Sequence, residues 1–244
     1  MTYNVWSRED VVVYKRMKAI GDLVQEHSPD VIFFQEITPY IHSIFESWAW
    51  WEDYNCSPVP TEGKFCLMLS KLPLESYARW NFSTLPTGKS YLEAEITPRS
   101  MKPIRIATAQ LECPELPVSM HLQERHMQAK HAVLALNSVK NVVLGGDMSW
   151  DDDADLPFPL PAGWCDAWAE LKHETESYNS WTYDSFWVEK LGEFNGHKVP
   201  DSWMKKRSDR FVCKLQDYTL ITIGLIDRNA YNYVYYLIWI SDEG

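Results

Sequence analysis

The chain lacks the marks of several large protein classes. Its five cysteines, Cys56, Cys66, Cys113, Cys165 and Cys213, are odd in number and scattered, with no Cys-x-x-Cys pair. That pattern excludes a disulfide scaffold and a structural zinc site, and it suits a reducing compartment. No apolar run approaches the ~20 residues that a membrane-spanning helix needs. The stretch Tyr233 to Ile240 is long enough only for a strand. No basic-then-apolar signal opens the chain. The seven histidines show neither His-x-x-x-His nor His-Glu-x-x-His spacing, which argues against a zinc hydrolase. A Gly-x-Ser-x-Gly elbow and a P-loop are both missing. Positive charge is scarce, with 23 Lys and Arg against 34 Asp and Glu and a net charge of −11. This balance argues against a nucleic-acid coat protein or a membrane-surface binder, and leaves room for an enzyme with a local basic groove. A soluble monomer with no membrane partner is expected.

Aromatic residues are plentiful, with 12 Trp and 13 Tyr. Most should lie in the core, because each buries a large area, and some are free to line a groove. No repeat, low-complexity segment or linker divides the chain, so one domain over residues 1–244 is expected. Val13, Met17, Ile20, Leu23 and Val24 follow the helical period between Val11 and Glu26, and Ser28-Pro29 closes that segment. Val31 to Phe34 is an apolar strand, and Thr38-Pro39 then supplies an N-cap and first helical position. Phe65–Leu69, Leu74–Ala78, Tyr91–Ile96 and Ile104–Ala109 are short β-type runs. A further helix is expected over Ser119–Asn137, then strands at Asn141–Leu144, Trp181–Tyr183 and Arg210–Leu215. Helices at both ends around a β-meander predict an α+β fold: two packed sheets flanked by helices, rather than a doubly wound sheet.

Two of these strands end in acids. Val31-Ile32-Phe33-Phe34 stops at Gln35-Glu36, and Asn141-Val142-Val143-Leu144 stops at Gly145-Gly146-Asp147. Two buried strands that each finish in a carboxylate can converge on one hard divalent cation. Glu36 reads equally as a metal ligand or as an acid at the N-terminus of the next helix. Asp147 is the stronger candidate, because the glycines allow a close backbone approach. Asn4, at the end of the first strand, is by itself an ordinary turn residue. The acid run Asp151-Asp152-Asp153-Asp155 is read as a solvated loop, and so is the basic cluster Lys205-Lys206-Arg207 with Arg210. His121, His126 and His131 recur every five residues, which scatters them around the helix surface.

Five segments together resemble the endonuclease/exonuclease/phosphatase superfamily, and more narrowly the tyrosyl-DNA phosphodiesterase 2 family in its plant-like form. They are Thr2-Tyr3-Asn4-Val5-Trp6, Phe34-Gln35-Glu36, Gly146-Asp147-Met148-Ser149-Trp150, Trp181-Thr182-Tyr183-Asp184 and Arg207-Ser208-Asp209-Arg210-Phe211. The resemblance covers roughly residues 1 to 220 and fades after that. It implies a DNase I-like four-layer α/β sandwich of two packed mixed β-sheets flanked by helices. It also implies Mg²⁺- or Mn²⁺-dependent hydrolysis of the phosphodiester between a DNA 5′ end and the tyrosine of a trapped topoisomerase in DNA repair, and a location in the nucleus and also the cytoplasm. Carried over, Glu36 is the metal ligand, Asn4 assists at metal and phosphate, and Asp147 orients the attacking water. Trp181 lies along the substrate groove, Asp209 sits in the supporting strand, and Arg210 is a phosphate or structural contact.

Three departures accompany the matches. Gln110 stands where the family carries a phosphate-donating His; it can donate a hydrogen bond but has no positive charge. Ser149 replaces the longer second polar residue of the Gly-Asp-x-Asn motif. The C-terminal Ser-Asp-His is absent, and Asp242 is no replacement. Losing one transition-state donor costs about 10²–10³ in rate, and such losses are not additive within one catalytic unit. The alternative is therefore a catalytically impaired paralogue or truncated form that binds metal, DNA ends or a protein without turnover. A phosphoesterase with another substrate is a third reading. Because the chain begins almost on the Asn4 motif, a clipped first strand and missing upstream segments are expected.

Overall fold

The computed structural model describes residues 1–82, 89–98, 102–114, 120–171, 182–184, 205–226 and 235–242. In chain order the elements are β1 (Thr2–Asn4), α1 (Val13–His27), β2 (Val31–Ile37), α2 (Pro39–Glu46), a 3-10 turn (Ala49–Asp53) and β3 (Asn55–Cys56). Then come β4 (Phe65–Ser70), β5 (Glu75–Asn81), β6 (Ser90–Ile96), β7 (Ile104–Gln110), α3 (Leu122–Leu136) and β8 (Val142–Asp147). The remainder is β9 (Cys165–Asp166), α4 (Ala167–Leu171), β10 (Tyr183–Asp184), β11 (Lys205–Lys206), β12 (Asp209–Lys214), β13 (Tyr218–Ile226) and β14 (Tyr235–Asp242).

Two mixed sheets form the centre. The first runs β1-β2-β4-β3, and the second β5-β6-β7-β8-β12-β9. β1 pairs in parallel with β2, as β7 does with β8, and the other neighbours are antiparallel. Alternate strand residues face opposite sides of a sheet, and that period sorts the core into three layers. Ile32, Phe34, Leu67 and Leu69 face α1 and α2, where Met17, Ile20, Ile41 and Phe45 meet them. Phe33, Met68, Ile106, Val143 and Phe211 fill the space between the sheets. Ala107, Ala109, Leu144 and Val212 face α3 through Ala132, Val133 and Leu136. Helix, sheet, sheet, helix gives the two packed sheets flanked by helices that the pattern of elements predicts, and the four layers that the resemblance implies.

Local signals place the ends of the first two helices. Ser28 ends α1 in a left-handed conformation, with its N–H on the Val24 carbonyl. Thr38 caps α2 by accepting from the Ile41 N–H, with Pro39 at the first position. β14 pairs along β13 as one strand of a two-stranded antiparallel sheet. On the β13 side Tyr218 and Ile223 join the inter-sheet core.

Several surface expectations change. Asp155 is not solvated: its side chain is 1% exposed and takes a bidentate ion pair from Arg125, itself 1% exposed. Asp151 is buried as well, because its carboxylate caps the loop N–H groups of Asp153 and Ala154. In the basic cluster, Arg207 is paired with Asp152 and Asp166. His126 and His131 are half-buried rather than on the surface, since each lies against an aromatic ring, Trp150 and Phe82 respectively. Helix α3 packs on the second sheet through Ala132, Val133 and Leu136, and these two histidines meet the rings beside it.

Candidate active site at the mouth of the inter-sheet core

The site forms where β1 and β2 of one sheet end beside β7 and β8 of the other. Gly145 and Gly146 bring these strands together. A Cβ on Gly145 would overlap the Phe211 ring and crowd Phe33, and one on Gly146 would overlap the Ala109 carbonyl. The two glycines therefore serve the packing of the sheets, one across the inter-sheet layer and one against the neighbouring strand. Gln35 ties the layers beneath, donating to Thr2 Oγ1 and Thr108 Oγ1 at 3.1 Å each.

Glu36 reaches the mouth by a break in β2. Alternation along the strand would turn it toward the helices, but its backbone is left-handed, with φ 58°. The pairing with β4 skips between Phe34 and Ile37. Such a bulge re-aims one side chain, and no residue type in Phe34-Gln35-Glu36-Ile37 announces it.

Two side-chain amides bridge the carboxylates reciprocally across the sheets. Asn4 Nδ2 donates to Glu36 Oε1 at 3.2 Å and to Asp147 Oδ2 at 2.7 Å. Gln110 Nε2 donates to the same two oxygens, at 2.9 and 3.4 Å. The outer oxygens have their own donors. Glu36 Oε2 accepts from Ser7 N at 3.2 Å and Ser7 Oγ at 2.8 Å, with the Lys64 ammonium 3.9 Å away. Asp147 Oδ1 accepts from Ser149 N at 2.9 Å and Ser149 Oγ at 3.2 Å. Burial pushes the Glu36 carboxyl upward, but the Lys64 charge and the Gln110 and Ser7 hydrogen bonds outweigh it and hold the group below its usual range.

The Gln110 amide nitrogen thus faces both carboxylates, with Cys113 Sγ as a longer contact at 3.9 Å. In this arrangement Gln110 donates to Glu36 and Asp147 and so acts as a clamp between them. Ser149 is short, and its left-handed backbone, φ 48°, folds it back onto Asp147. On its other side Ser149 Oγ lies 2.9 Å from Cys113 Sγ. Burial, and then the charge of Asp147, raise the Cys113 thiol above its usual range.

Asp209 pairs directly opposite Asp147 in the β8–β12 ladder. It is buried, and Oδ1 has no hydrogen-bond partner among the described residues. Burial and the neighbouring Asp147 charge push it well above the usual carboxylate range. Like charges directly across a strand pair repel, which is one cause of that upward shift. Arg210 is not brought to the site. The strand period turns it to the opposite face, where it pairs with Asp166 at 2.9 Å and with Asp152, and stacks over Phe158. Trp181 lies outside the described residues.

Ser7, Lys64 and Cys113 join the site without any sequence signal, and so does Lys206 from the basic cluster that reads as a solvated loop. The last is a half-buried ammonium that burial lowers and that Asp147 and Cys113 draw back up. Among the described residues no three of His, Cys, Asp and Glu are grouped as ligands around one point, so an all-protein zinc cage does not fit. A single partly exposed carboxylate amid amide and hydroxyl groups is a hard-oxygen set. It fits a cation such as Mg²⁺ that keeps most of its own water.

Comparison with known proteins agrees on the architecture. The model of the Endonuclease/Exonuclease/phosphatase family matches residues 1–242. Among solved structures, D. rerio TDP2 complexed with single-strand DNA product is 20% identical, with a TM-score of 0.76 over 96% of this chain and 92% of that one. Truncated Caenorhabditis elegans TDP2 is 19% identical, with a TM-score of 0.71 over 90% and 86%. The human Nocturnin catalytic domain with bound sulfate is 13% identical, with a TM-score of 0.68 over 94% and 85%. No curated protein matches.

Proposed function

This chain belongs to the endonuclease/exonuclease/phosphatase family, and we propose that it is a divalent-metal-dependent phosphodiesterase acting on 5′ ends of DNA that carry a tyrosyl adduct. The observation that carries this reading is the meeting of Glu36 and Asp147, from different sheets, on the same pair of bridging amides. The resemblance to the tyrosyl-DNA phosphodiesterase 2 family supplies the substrate class.

Glu36 would hold Mg²⁺ or Mn²⁺ directly, with Asn4 beside it. When bound, the ion would polarise the phosphate and neutralise charge on the leaving oxygen. Asp147, fixed at Oδ1 by the Ser149 N–H and hydroxyl, would orient the water that attacks phosphorus. Asn4 bridges the two acids. Lys64 and Lys206 place positive charge beside the same carboxylates, which offsets the anionic exterior where a phosphate must approach.

One observation favours a second reading, impaired turnover with binding retained. The Gln110 amide faces the two carboxylates and carries no charge, so nothing at that position replaces the positive charge of the family's His. Single-turnover hydrolysis of a 5′-phosphotyrosyl oligonucleotide with Mg²⁺ separates the two, with Glu36→Gln as the blank. Tyrosine release above the blank supports the enzyme. No release, with Mn²⁺ or oligonucleotide binding intact, supports the impaired form. Absence of both turnover and binding would remove the nucleic-acid reading altogether.

A further inference from the structure

Three non-glycine residues at the site have left-handed backbones: Glu36, Ser149 and Trp6, the last with φ 56°. Glu36 and Ser149 are accounted for by their carboxylate contacts, whereas Trp6 is not. A bulky side chain with positive φ is a genuine outlier, and such strain gathers where a site requires a particular group. The Trp6 backbone is held in place. Its N–H donates to Asn4 Oδ1 at 2.9 Å, and the next residue, Ser7, donates twice to Glu36. Arg16, itself buried, donates to the carbonyls of Val5, Trp6 and Val11 at 2.6, 2.9 and 2.9 Å, and to that of Arg8. Glycine at position 6 would keep every one of these backbone bonds and remove the left-handed penalty. What tryptophan adds is therefore the indole. Its ring is half-buried and lies 5.0 Å from the Arg16 guanidinium. It is rooted at the rim, between the backbone that orients Asn4 and the backbone that orients Glu36.

We propose that Trp6 is a substrate-contacting residue whose indole stacks on the planar aromatic ring next to the scissile phosphate. That ring is either the first nucleobase or the leaving phenol. The inference rests on the phosphodiesterase reading above and names a contact that reading does not use. Every nucleobase and every phenol presents a π-face, so such a platform tolerates sequence. An Arg-backed indole is pre-positioned for it, because the guanidinium restrains the ring before substrate arrives.

The test uses the full chain, Trp6→Gly and Trp6→Phe. One arm measures anisotropy of a 3′-labelled, 5′-phosphorylated single strand in EDTA, with the first nucleotide either intact or abasic. A second arm measures KM for a 5′-phosphotyrosyl ester with Mg²⁺. Stacking of one base corresponds to at least about a fivefold change in affinity. Base stacking predicts that Trp6→Gly binds the intact strand at least about fivefold more weakly, binds the abasic strand as wild type does, and is largely rescued by Phe. Phenol stacking predicts unchanged strand binding and a KM raised by a similar factor. Equal behaviour of all three proteins in both arms overturns the proposal and leaves Trp6 as packing for Arg16. A wild-type chain that neither binds the strands nor cleaves the ester sinks the phosphodiesterase reading and this contact with it. Loss confined to Trp6→Gly cannot arise that way. A lowered thermal midpoint with the intact and abasic strands weakened equally would also count against the proposal.

Discussion

Replacing Gln110 with Leu keeps the volume and removes both hydrogen bonds that hold Glu36 and Asp147 together from the second sheet. Hydrogen bonds to charged groups contribute about 1.5–3 kcal/mol each. The 2.9 Å bond falls within that range, and the 3.4 Å bond contributes less, which gives about 2–4 kcal/mol for the pair. For a chain of this size the thermal midpoint should fall by about 4–16 °C in EDTA. The pH dependence has a definite sign. The Gln110 hydrogen bond is one of the contacts that depress the Glu36 carboxyl below its ordinary value of 4.5. Its contribution is therefore present above that value and fades as pH falls through the depressed folded value. The midpoint difference between wild type and variant should thus be full at pH 7 and shrink below about pH 4. With the clamp gone, two acids bridged only by Asn4 should attract a cation more strongly. The Mn²⁺-induced rise in midpoint should be larger in the variant. The assay is a thermal melt at several pH values with and without Mn²⁺. A variant as stable as wild type at pH 7, or one with a smaller Mn²⁺ response, would refute the clamp.

Other perturbations test the frame around the site. Asp155→Ala should cost about 3–5 kcal/mol, because it leaves the buried Arg125 guanidinium uncompensated, whereas Arg125→Met with Asp155→Leu should recover most of that loss; chemical denaturation of the two variants compares them. Arg210→Met should lower stability and leave binding of a 5′-phosphorylated strand unchanged, since its guanidinium is engaged by Asp152 and Asp166; weakened strand binding in an anisotropy titration would return Arg210 to the phosphate. Burial raises Asp166, but the Arg207 and Arg210 charges override it and set its carboxyl below the ordinary 3.8. Its support should therefore be complete at neutral pH and vanish as pH falls below about 4, so the stability gap to Asp166→Asn should close in acid titrations.

What the sequence discloses follows from range. The layers were legible because the two-residue and 3.6-residue periods are local, and because Thr38-Pro39 and Ser28-Pro29 state their own turns. Glu36 and Asp147 were legible because each follows an apolar run. The bulge that aims Glu36 was not, since it depends on how β4 meets β2, and Phe34-Gln35-Glu36-Ile37 contains no glycine to mark a left-handed residue. Ser7, Lys64 and Cys113 carry no motif and enter the site only through folding. Asp155 reads as one acid among several until Arg125, far off on α3, turns out to face it. Arg210 shows the converse: the strand period that places Asp209 on the inner face forces its neighbour outward, which could have been read from Asp209-Arg210-Phe211 alone.

Glu36 is carried by one sheet and Asp147 by the other, so the gap between them inherits the thickness of the layer that separates the sheets. That thickness is set by Phe33, Met68 and Phe211, of which Phe211 and Phe33 lie against the bare backbone of Gly145. Close-packed interiors pass strain on rather than absorb it. The mouth therefore behaves as a caliper on the hydrophobic layer below it. A methylene added or removed deep in the core changes the span between the carboxylates, and with it the size of the ion or amide that fits between them, well before the fold itself gives way.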